Sequence, residues 1–382
     1  MKQNKIKVLS VFGTRPEAIK MAPLVLQLNK TSYIDNYVCV TAQHREMLDG
    51  VLEMFQIVPD FDLNIMQKHQ TISDITVRAL EGLDKIYKQL QPDIVLVHGD
   101  TTTSFVGALA AFYNKIKLGH VEAGLRTFDK YSPYPEEVNR RLTGQLADLH
   151  FAPTTANKNN LLNENINSDN IFITGNTVID ALQTTVSDNY KLSAQISAAD
   201  YTNNKVIIMT AHRRENLGEP LRNICNAIHR LVEEFDNIEV VYPVHPNPAV
   251  RQTVSQVLGN IQRVHLIEPV DVRDLHNAIN KCYFVMTDSG GLQEEAPSLG
   301  KPVLVLRKET ERPEAVTAGT VKLAGVEEDN IYLMARNLLT MKTEYDKMAR
   351  AVNPYGDGKA SSRIVDGILY HFGLGEKPKD FI

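Results

Sequence analysis

Residues 284–320 read FVMTDSGGLQEEAPSLGKPVLVLRKETERPEAVTAGT, and their order of elements points to the fold. Phe284 to Thr287 is a short continuous apolar run, the pattern of a strand buried on both faces of a parallel sheet. It stops at Asp288, turns through Ser289-Gly290-Gly291, and continues as Leu292 to Leu299, whose apolar positions and paired acids suit a short helix. After Gly300 and Pro302 a second buried strand follows, Val303 to Leu306, and then the polar run Arg307 to Glu314. Strand, small-residue turn, helix, strand is a parallel α/β unit, and its turn is an anion-binding geometry. Two glycines remove the side chains that hold a phosphate away, and the helix offers unpaired N–H groups. Taken alone, Ser289-Gly290-Gly291 reads as an ordinary turn with solvated charges beyond it. Arg312, which can clamp a phosphate in a planar fork, and the acids Glu294 and Glu295, suited to sugar hydroxyls, shift the reading to a nucleotide or sugar phosphate.

The same rhythm runs outward from this stretch. Ile6 to Phe12 opens the chain as a strand, followed by Gly13-Thr14-Arg15-Pro16-Glu17 and an amphipathic helix to about Leu28. Thr14 and Glu17 have capping-box spacing and Pro16 suits the first helical turn. Arg15 and Lys20 therefore lie near a helix N-terminus, where cations are unusual. They are either surface charges or partners of an anion. Strands over Tyr37 to Thr41, Ile94 to His98 and Lys117 to Val121 alternate with helices around Met47 to Phe55, from Ile72 to Leu90 and through Ala108 to Phe112. Asp100 and Glu122 each fall just past a strand's carboxyl end, the edge at which open α/β sheets bind ligands. Helix capping is a sufficient explanation for Asp100 but not for Glu122. Glu136 starts a helix after the aromatic, proline-rich loop Tyr131-Ser132-Pro133-Tyr134-Pro135.

From about Leu192 to Asn204 the chain turns polar and loses its period, which places a domain boundary between about 180 and 204. The pattern then restarts with Val206 to Thr210 and Ala211-His212-Arg213-Arg214-Glu215-Asn216, an echo of the first turn. His212 leaves a strand end beside two arginines, and its ordinary pKa of about 6.5 makes donor and acceptor forms accessible. Ile238 to Pro243 and Val264 to Ile267 complete a second sheet of similar rhythm. The fold class is α/β, with two doubly wound sheets over residues 1–180 and 181–360 and a final helix to about Tyr370. Gly356 and Gly358 form a GxG without a preceding strand, so a dinucleotide fingerprint is not supported.

Composition narrows the class of function. The 382 residues are 43% hydrophobic with a net charge of −5 and no long basic run, so a nucleic-acid partner is not expected. Cys39, Cys225 and Cys282 are far apart in apolar contexts and read as reduced core residues of a cytoplasmic protein. The opening MKQNKIKVLSVFG has too short an apolar run for a signal peptide, and Val106 to Tyr113 is far below membrane-spanning length. A soluble protein without a membrane partner is expected. The eleven histidines show no metal-binding spacing, so no metal is expected.

With GTRPEAIK at 13–20, HGDTTT at 98–103, HVEAGLRT at 120–127, AHRRENLG at 211–218, and TDSGGLQEEAPSLGKPVL with TERPEAVTAGT within 287–320, the chain resembles the non-hydrolysing UDP-N-acetylglucosamine 2-epimerases from about Ile6 to Ile368. The resemblance implies two Rossmann-like domains, 1–180 and 181–360, of the glycosyltransferase-B type with the active site in the inter-domain cleft. It also implies that a C-terminal helix, about 361–382, joins the first domain, and that the protein is a homodimer. The implied activity is reversible conversion of UDP-N-acetylglucosamine to UDP-N-acetylmannosamine for bacterial surface polysaccharides, with no cofactor.

The chemistry has to fit. Carbon 2 of the sugar has no adjacent carbonyl to acidify its proton, so the hydrogen must leave together with a leaving group, and UDP on carbon 1 is a good one. The resemblance implies elimination to a glycal-like intermediate and re-addition of UDP, with the proton returning to the opposite face. Asp100, Glu122 and Glu136 are the matching carboxylates, with the face served by each left open, and His212 completes the catalytic set. Arg15, Lys20, Ser289, Gly290, Gly291 and Arg312 are expected to bind the UDP-sugar, and Glu295 matches the position expected to grip the ribose. Gln43, Arg213 and His245 fit a regulatory site for a second nucleotide sugar found in some members, whereas Glu46 and His69 depart from that pattern. A retaining glycosyltransferase, a hydrolysing relative and a non-catalytic nucleotide-sugar sensor remain as rival readings, although the motifs at 13–20 and 98–127 fit the non-hydrolysing group better than the hydrolysing one.

Overall fold

The computed structural model of the chain describes residues 5–42, 45–67 and 70–381, with only the backbone described at Glu46 and Met47. Gln43 and His69 lie outside the described residues. The chain divides into two compact units, residues 1–184 with 355–382 and residues 185–354.

The first unit is built on seven strands: β1 (Ile6–Phe12), β2 (Ile34–Val40), β3 (Phe61–Asp62), β4 (Ile94–His98), β5 (Lys117–Val121), β6 (Leu149–Ala152) and β7 (Ile171–Ile173). They pair in the order β3-β2-β1-β4-β5-β6-β7, all parallel. Every residue of β4 is buried, as its uninterrupted apolar run predicts for a strand covered on both faces. The chain leaves β1 toward one edge and returns to β4 on its other side, pairing Val8 with Ile94 and Val11 with Val97. That reversal opens a crevice at the carboxyl ends of β1 and β4, where a doubly wound sheet takes its ligands.

The C-terminal segment belongs to this unit. Helix Ala360–His371 packs on helix Arg15–Asn29, and the Tyr370 ring meets Phe172 edge-on. Asp180 accepts from the first two amides of that helix, Ala360 at 3.1 Å and Ser361 at 2.7 Å, which satisfies donors a helix start leaves open. Beyond it, Asp380 accepts from the Ile173 amide at 3.0 Å and the Phe381 amide donates to Ile173 at 2.7 Å, covering the edge strand β7.

The second unit holds six parallel strands, β8 (Lys205–Thr210), β9 (Ile238–Pro243), β10 (Val264–Ile267), β11 (Phe284–Thr287), β12 (Val303–Val305) and β13 (Val321–Leu323), in the order β10-β9-β8-β11-β12-β13. The winding reverses between β8 and β11, so the carboxyl ends of these two strands form its switch point. Thr210 and Thr287 end them in register with their hydroxyls 2.6 Å apart. The three cysteines are free and buried. Among the described residues, no helix is long and apolar enough to cross a membrane, and no three His, Cys, Asp or Glu side chains converge as a metal site.

Candidate active site

In the first unit the switch point is lined from three strands. After β1, Gly13 fits tightly: a Cβ there would collide with Thr41 Oγ1 and lie 2.8 Å from Thr103 Oγ1. Helix Arg15–Asn29 then starts with the capping box its sequence predicts. Glu17 does more than cap. It is buried, and its Oε2 accepts from the amides of Gly13 at 3.0 Å and Thr14 at 2.8 Å, while its Oε1 accepts from Thr101 Oγ1 at 2.7 Å and Ser104 Oγ at 2.9 Å. Burial raises its pKa against the lowering by those four donors. Glu17 thus ties the turn after β1 to the turn after β4. Lys20, one helical turn beyond Pro16, forms an ion pair with Glu122 Oε1.

Glu122 follows β5 in the left-handed backbone region at φ +61°, an uncommon conformation for a residue with a side chain. Such strain persists where the surroundings over-determine it, and functional sites are the usual place. Besides Lys20, Asn176 Nδ2 donates to Glu122 Oε1 at 2.8 Å, and Oε2 lies 3.5 Å from His98 Nε2. Burial pushes the His98 imidazole down to about 4, so it is neutral near pH 7.

Asp100 follows β4 and is paired with Arg140. Burial raises its pKa, Arg140 lowers it, and the Glu122 charge raises it further. Arg140 also lies 3.5 Å from the fully buried Glu137, which accepts the amides of Thr127 at 3.0 Å and Phe128 at 3.2 Å. Asn139 Nδ2 donates to the Asp100 carbonyl at 3.0 Å. Helix Glu136–Leu146 therefore turns its Asn139–Arg140 face to Asp100, and Glu136 stands one turn earlier on that face.

In the second unit the turns after β8 and β11 are joined by Asp288. Its buried carboxylate accepts from the amides of His212 and Arg213, both at 2.7 Å, and from Asn216 Nδ2 at 3.0 Å. Ser289-Gly290-Gly291 follows, with the Ser289 amide donating to Thr287 Oγ1 at 2.9 Å. A Cβ on Gly290 would lie 3.6 Å from Arg312 Nη2 and 3.9 Å from Arg213 Nη2, so two guanidinium groups stand over the turn. Arg312 is held there by an ion pair with buried Glu294. Glu295 lies 3.3 Å from His276 Nε2, whose Nδ1 is 2.8 Å from Thr185 Oγ1. The His212 and His245 rings lie 5.0 Å apart, and burial, then the His212 charge, lower the His245 pKa.

One sheet thus presents carboxylates paired with cations at its switch point, and the other a glycine turn under two guanidinium groups. The family model of UDP-N-acetylglucosamine 2-epimerase matches residues 26–369. The chain belongs to the UDP-N-acetylglucosamine 2-epimerase family. The Bacillus subtilis UDP-N-acetylglucosamine 2-epimerase is 61% identical over 376 residues, 98% of this chain and 98% of that one. The structure of S. aureus MnaA with UDP is similar at a TM-score of 0.91 and 52% identity, covering 99% of this chain and 100% of that one. The Neisseria meningitidis UDP-GlcNAc 2-epimerase bound to UDP-GlcNAc is similar at a TM-score of 0.87 and 52% identity, covering 96% and 100%. The chain is thereby an isomerase of the epimerase type.

Of the residues singled out in the sequence of this epimerase, Lys20 and Glu122 are in contact and Asp100 is electrostatically coupled to both. Arg15 is the first residue of its helix and is exposed. Ser289, Gly290, Arg312, Arg213, His212 and His245 gather at the ends of β8, β9 and β11, and Glu295 sits one helical turn past Gly291. The sequence reading missed Arg140, Asn176, His98 and Asp288. Asp288 was visible only as a strand's end, and no motif marked Asn176. Glu294, read as a sugar-hydroxyl ligand, is instead engaged by Arg312.

Proposed function

We propose that this epimerase interconverts UDP-N-acetylglucosamine and UDP-N-acetylmannosamine by elimination and re-addition of UDP, with Asp100, Glu122 and Glu136 as the acid–base groups and His212, Arg312 and the Ser289–Gly291 turn acting on UDP. The observation that carries the residue assignment is the pair of carboxylates at the ends of β4 and β5, tuned in different ways. Lys20 and Asn176 donate to Glu122, which favours its carboxylate, whereas at Asp100 burial and the Glu122 charge raise the pKa against the opposing pull of Arg140 and Lys20. Two carboxyl groups held in different surroundings at one sheet edge are what removal and return of a proton at carbon 2 need.

A carboxylate takes the carbon 2 proton while the bond from carbon 1 to the diphosphate oxygen breaks. The electron pair of the C–H bond becomes the carbon 1–carbon 2 double bond, and UDP leaves with the electron pair of the C–O bond. The Arg312 fork, the Ser289–Gly291 turn and a His212 proton stabilise the diphosphate as its charge grows. The diphosphate oxygen then re-adds to carbon 1 while a second carboxyl group delivers a proton to the opposite face of carbon 2. Asp288 serves by holding the backbone of His212 and Arg213.

On this reading residues 185–354 form the UDP-binding unit, and residues 1–184 with 355–382 the unit of sugar chemistry. A cytoplasmic enzyme supplying surface polysaccharide synthesis is supported by the three free thiols. A homodimer is supported by the exposed apolar side chains Phe112, Tyr113, Val138 and Leu142 on neighbouring helices of the first unit. A regulatory second nucleotide at Gln43, Arg213 and His245 is supported by the contact of His245 with His212. It would give sigmoidal substrate dependence, and hyperbolic kinetics would remove it.

The deciding experiment incubates the protein with UDP-N-acetylglucosamine in deuterated water without added cofactor and follows carbon 2 and the anomeric proton by NMR. Deuterium at carbon 2 together with UDP-N-acetylmannosamine supports the proposal. Free N-acetylmannosamine would replace it with hydrolysis, and an unchanged substrate would leave a transferase or a sensor.

A further inference from the structure

We infer that Asn176 is a positioning residue of this reaction: its amide, together with Lys20, holds Oε1 of Glu122 and so sets the aim of the carboxylate. The inference rests on the reading of Glu122 as an acid–base group. A carboxylate at the end of a glutamate side chain turns easily about its last bond, and that torsion has no sharp minimum of its own. Here Oε1 is reached from two elements at once, by Lys20 from the helix after β1 and by Asn176 from the turn after β7. Oε2 is thereby turned toward His98, 3.5 Å from its Nε2. Rotation of the group short of a half-turn, which would only exchange its two equivalent oxygens, breaks both bonds to Oε1 together.

Asn176 is itself held from several sides. It is buried. Its Oδ1 accepts the Val178 amide at 3.1 Å at the start of helix Thr177–Thr185, so the amide's other end, Nδ2, is the one that points at Glu122. Its backbone amide donates to the Tyr355 carbonyl at 2.6 Å. Gly175, at φ +82°, lets the turn lie against the C-terminal segment, since a Cβ there would come within 3.2 Å of Gly356 Cα. The donor is therefore delivered by a turn that the returning chain clasps.

Capping and positioning demand different chemistry, which separates them. Aspartate and serine cap a helix start about as well as asparagine, but an ionised aspartate cannot donate to Glu122 and adds a like charge beside it. Charged or titratable groups that face Glu122 include Lys20, His98, which burial keeps neutral near pH 7, and Asp100.

The test compares Asn176→Asp and Asn176→Ser with the unaltered enzyme in kcat, KM, UDP affinity, melting temperature and the pH profile of kcat/KM. Loss of one hydrogen bond to a charged group predicts a fall in kcat of about 10- to 100-fold in both variants. UDP affinity should stay unchanged, and the acid limb of the Asp variant should move about one pH unit upward. A limb that stays in place, or loss of activity that only follows loss of folded protein, overturns the inference. If the Asp variant does not fold, wild-type kcat in the Ser variant does the same. A Glu122→Gln enzyme with full activity would sink the underlying reading. An inactive Glu122→Gln beside an unaltered Asn176→Asp sinks only the present one.

Discussion

Replacing Glu122 by glutamine separates chemistry from stability in this fold. The substitution keeps the shape and an oxygen able to accept from Asn176 and Lys20, but it removes the charge that Lys20 faces. The two side chains are only 16% and 9% exposed. Breaking a buried ion pair from one side costs about 3–5 kcal/mol, and the surviving acceptor and the partial exposure of Lys20 reduce this to about 2–3 kcal/mol. A domain with about 5–15 kcal/mol of stability stays folded after such a loss. Losing an acid–base group removes about 10²- to 10⁴-fold in rate, and a glutamine cannot accept the carbon 2 proton at all. The expected outcome is a folded protein that binds UDP as before, with turnover and deuterium incorporation at carbon 2 lowered by at least about 100-fold. Isothermal titration with UDP, a thermal melt and the NMR exchange assay read the three quantities separately. Full activity in the variant refutes the assignment of Glu122. Lost UDP binding would refute the division of labour between the two units.

Other substitutions probe the supports of the site. Glu17→Gln is expected to be tolerated within about 1 kcal/mol, because its carbonyl can serve the Gly13 and Thr14 amides while the hydroxyls of Thr101 and Ser104 reorient to accept from its NH₂. Glu17→Leu, which strands the Gly13 and Thr14 amides while the Thr101 and Ser104 hydroxyls keep other acceptors, should cost about 3 kcal/mol or more in a denaturant titration. Asp288→Ala leaves the amides of His212 and Arg213 and the Asn216 side chain without their acceptor, and should weaken UDP binding about tenfold or more by calorimetry. Stability should fall as pH drops from about 6.5 toward 4, because His98, His120 and His150 are pushed by burial down to about 4, 3 and 4 and take up protons more readily when unfolded. Each contributes about 2 kcal/mol at about pH 5, partly offset by the raised carboxyls of Glu17, Asp100 and Asp180, which act in the opposite sense. His120→Gln, which can still donate to the Gly99 carbonyl, should flatten the fall between about pH 7 and about pH 5 by about 2 kcal/mol in thermal melts.

Strands, helices and turns were legible in the chain because they depend on local patterns. The apolar run at 94–98 is β4, the 3.6-residue spacing at 72–90 is a helix of those bounds, and Thr14 with Glu17 forms the capping box their spacing requires. The two-residue strand β3 escaped notice, since Phe61–Asp62 carries no period of its own and is a strand only because β2 lies beside it. Asp100 and Glu122 could be placed at one edge of a sheet from the lengths of their strands alone. What surrounds them could not, because the partners come from far along the chain: Lys20 lies 102 residues from Glu122, Asn176 lies 54, and Arg140 lies 40 from Asp100.

Local sequence therefore determined the elements, the α/β class and, through long ordered motifs, the family. The tertiary structure alone decided that Glu122 sits in a left-handed turn between a cation and an amide, that Glu294 holds Arg312 over the glycine turn, and that the returning C-terminal segment clasps the loop bearing Asn176. The reason is physical. Periodicity and capping act within a few residues and leave a trace in the neighbouring letters. Burial and ion pairing act through space, and they join residues whose separation along the chain carries no signal of their contact.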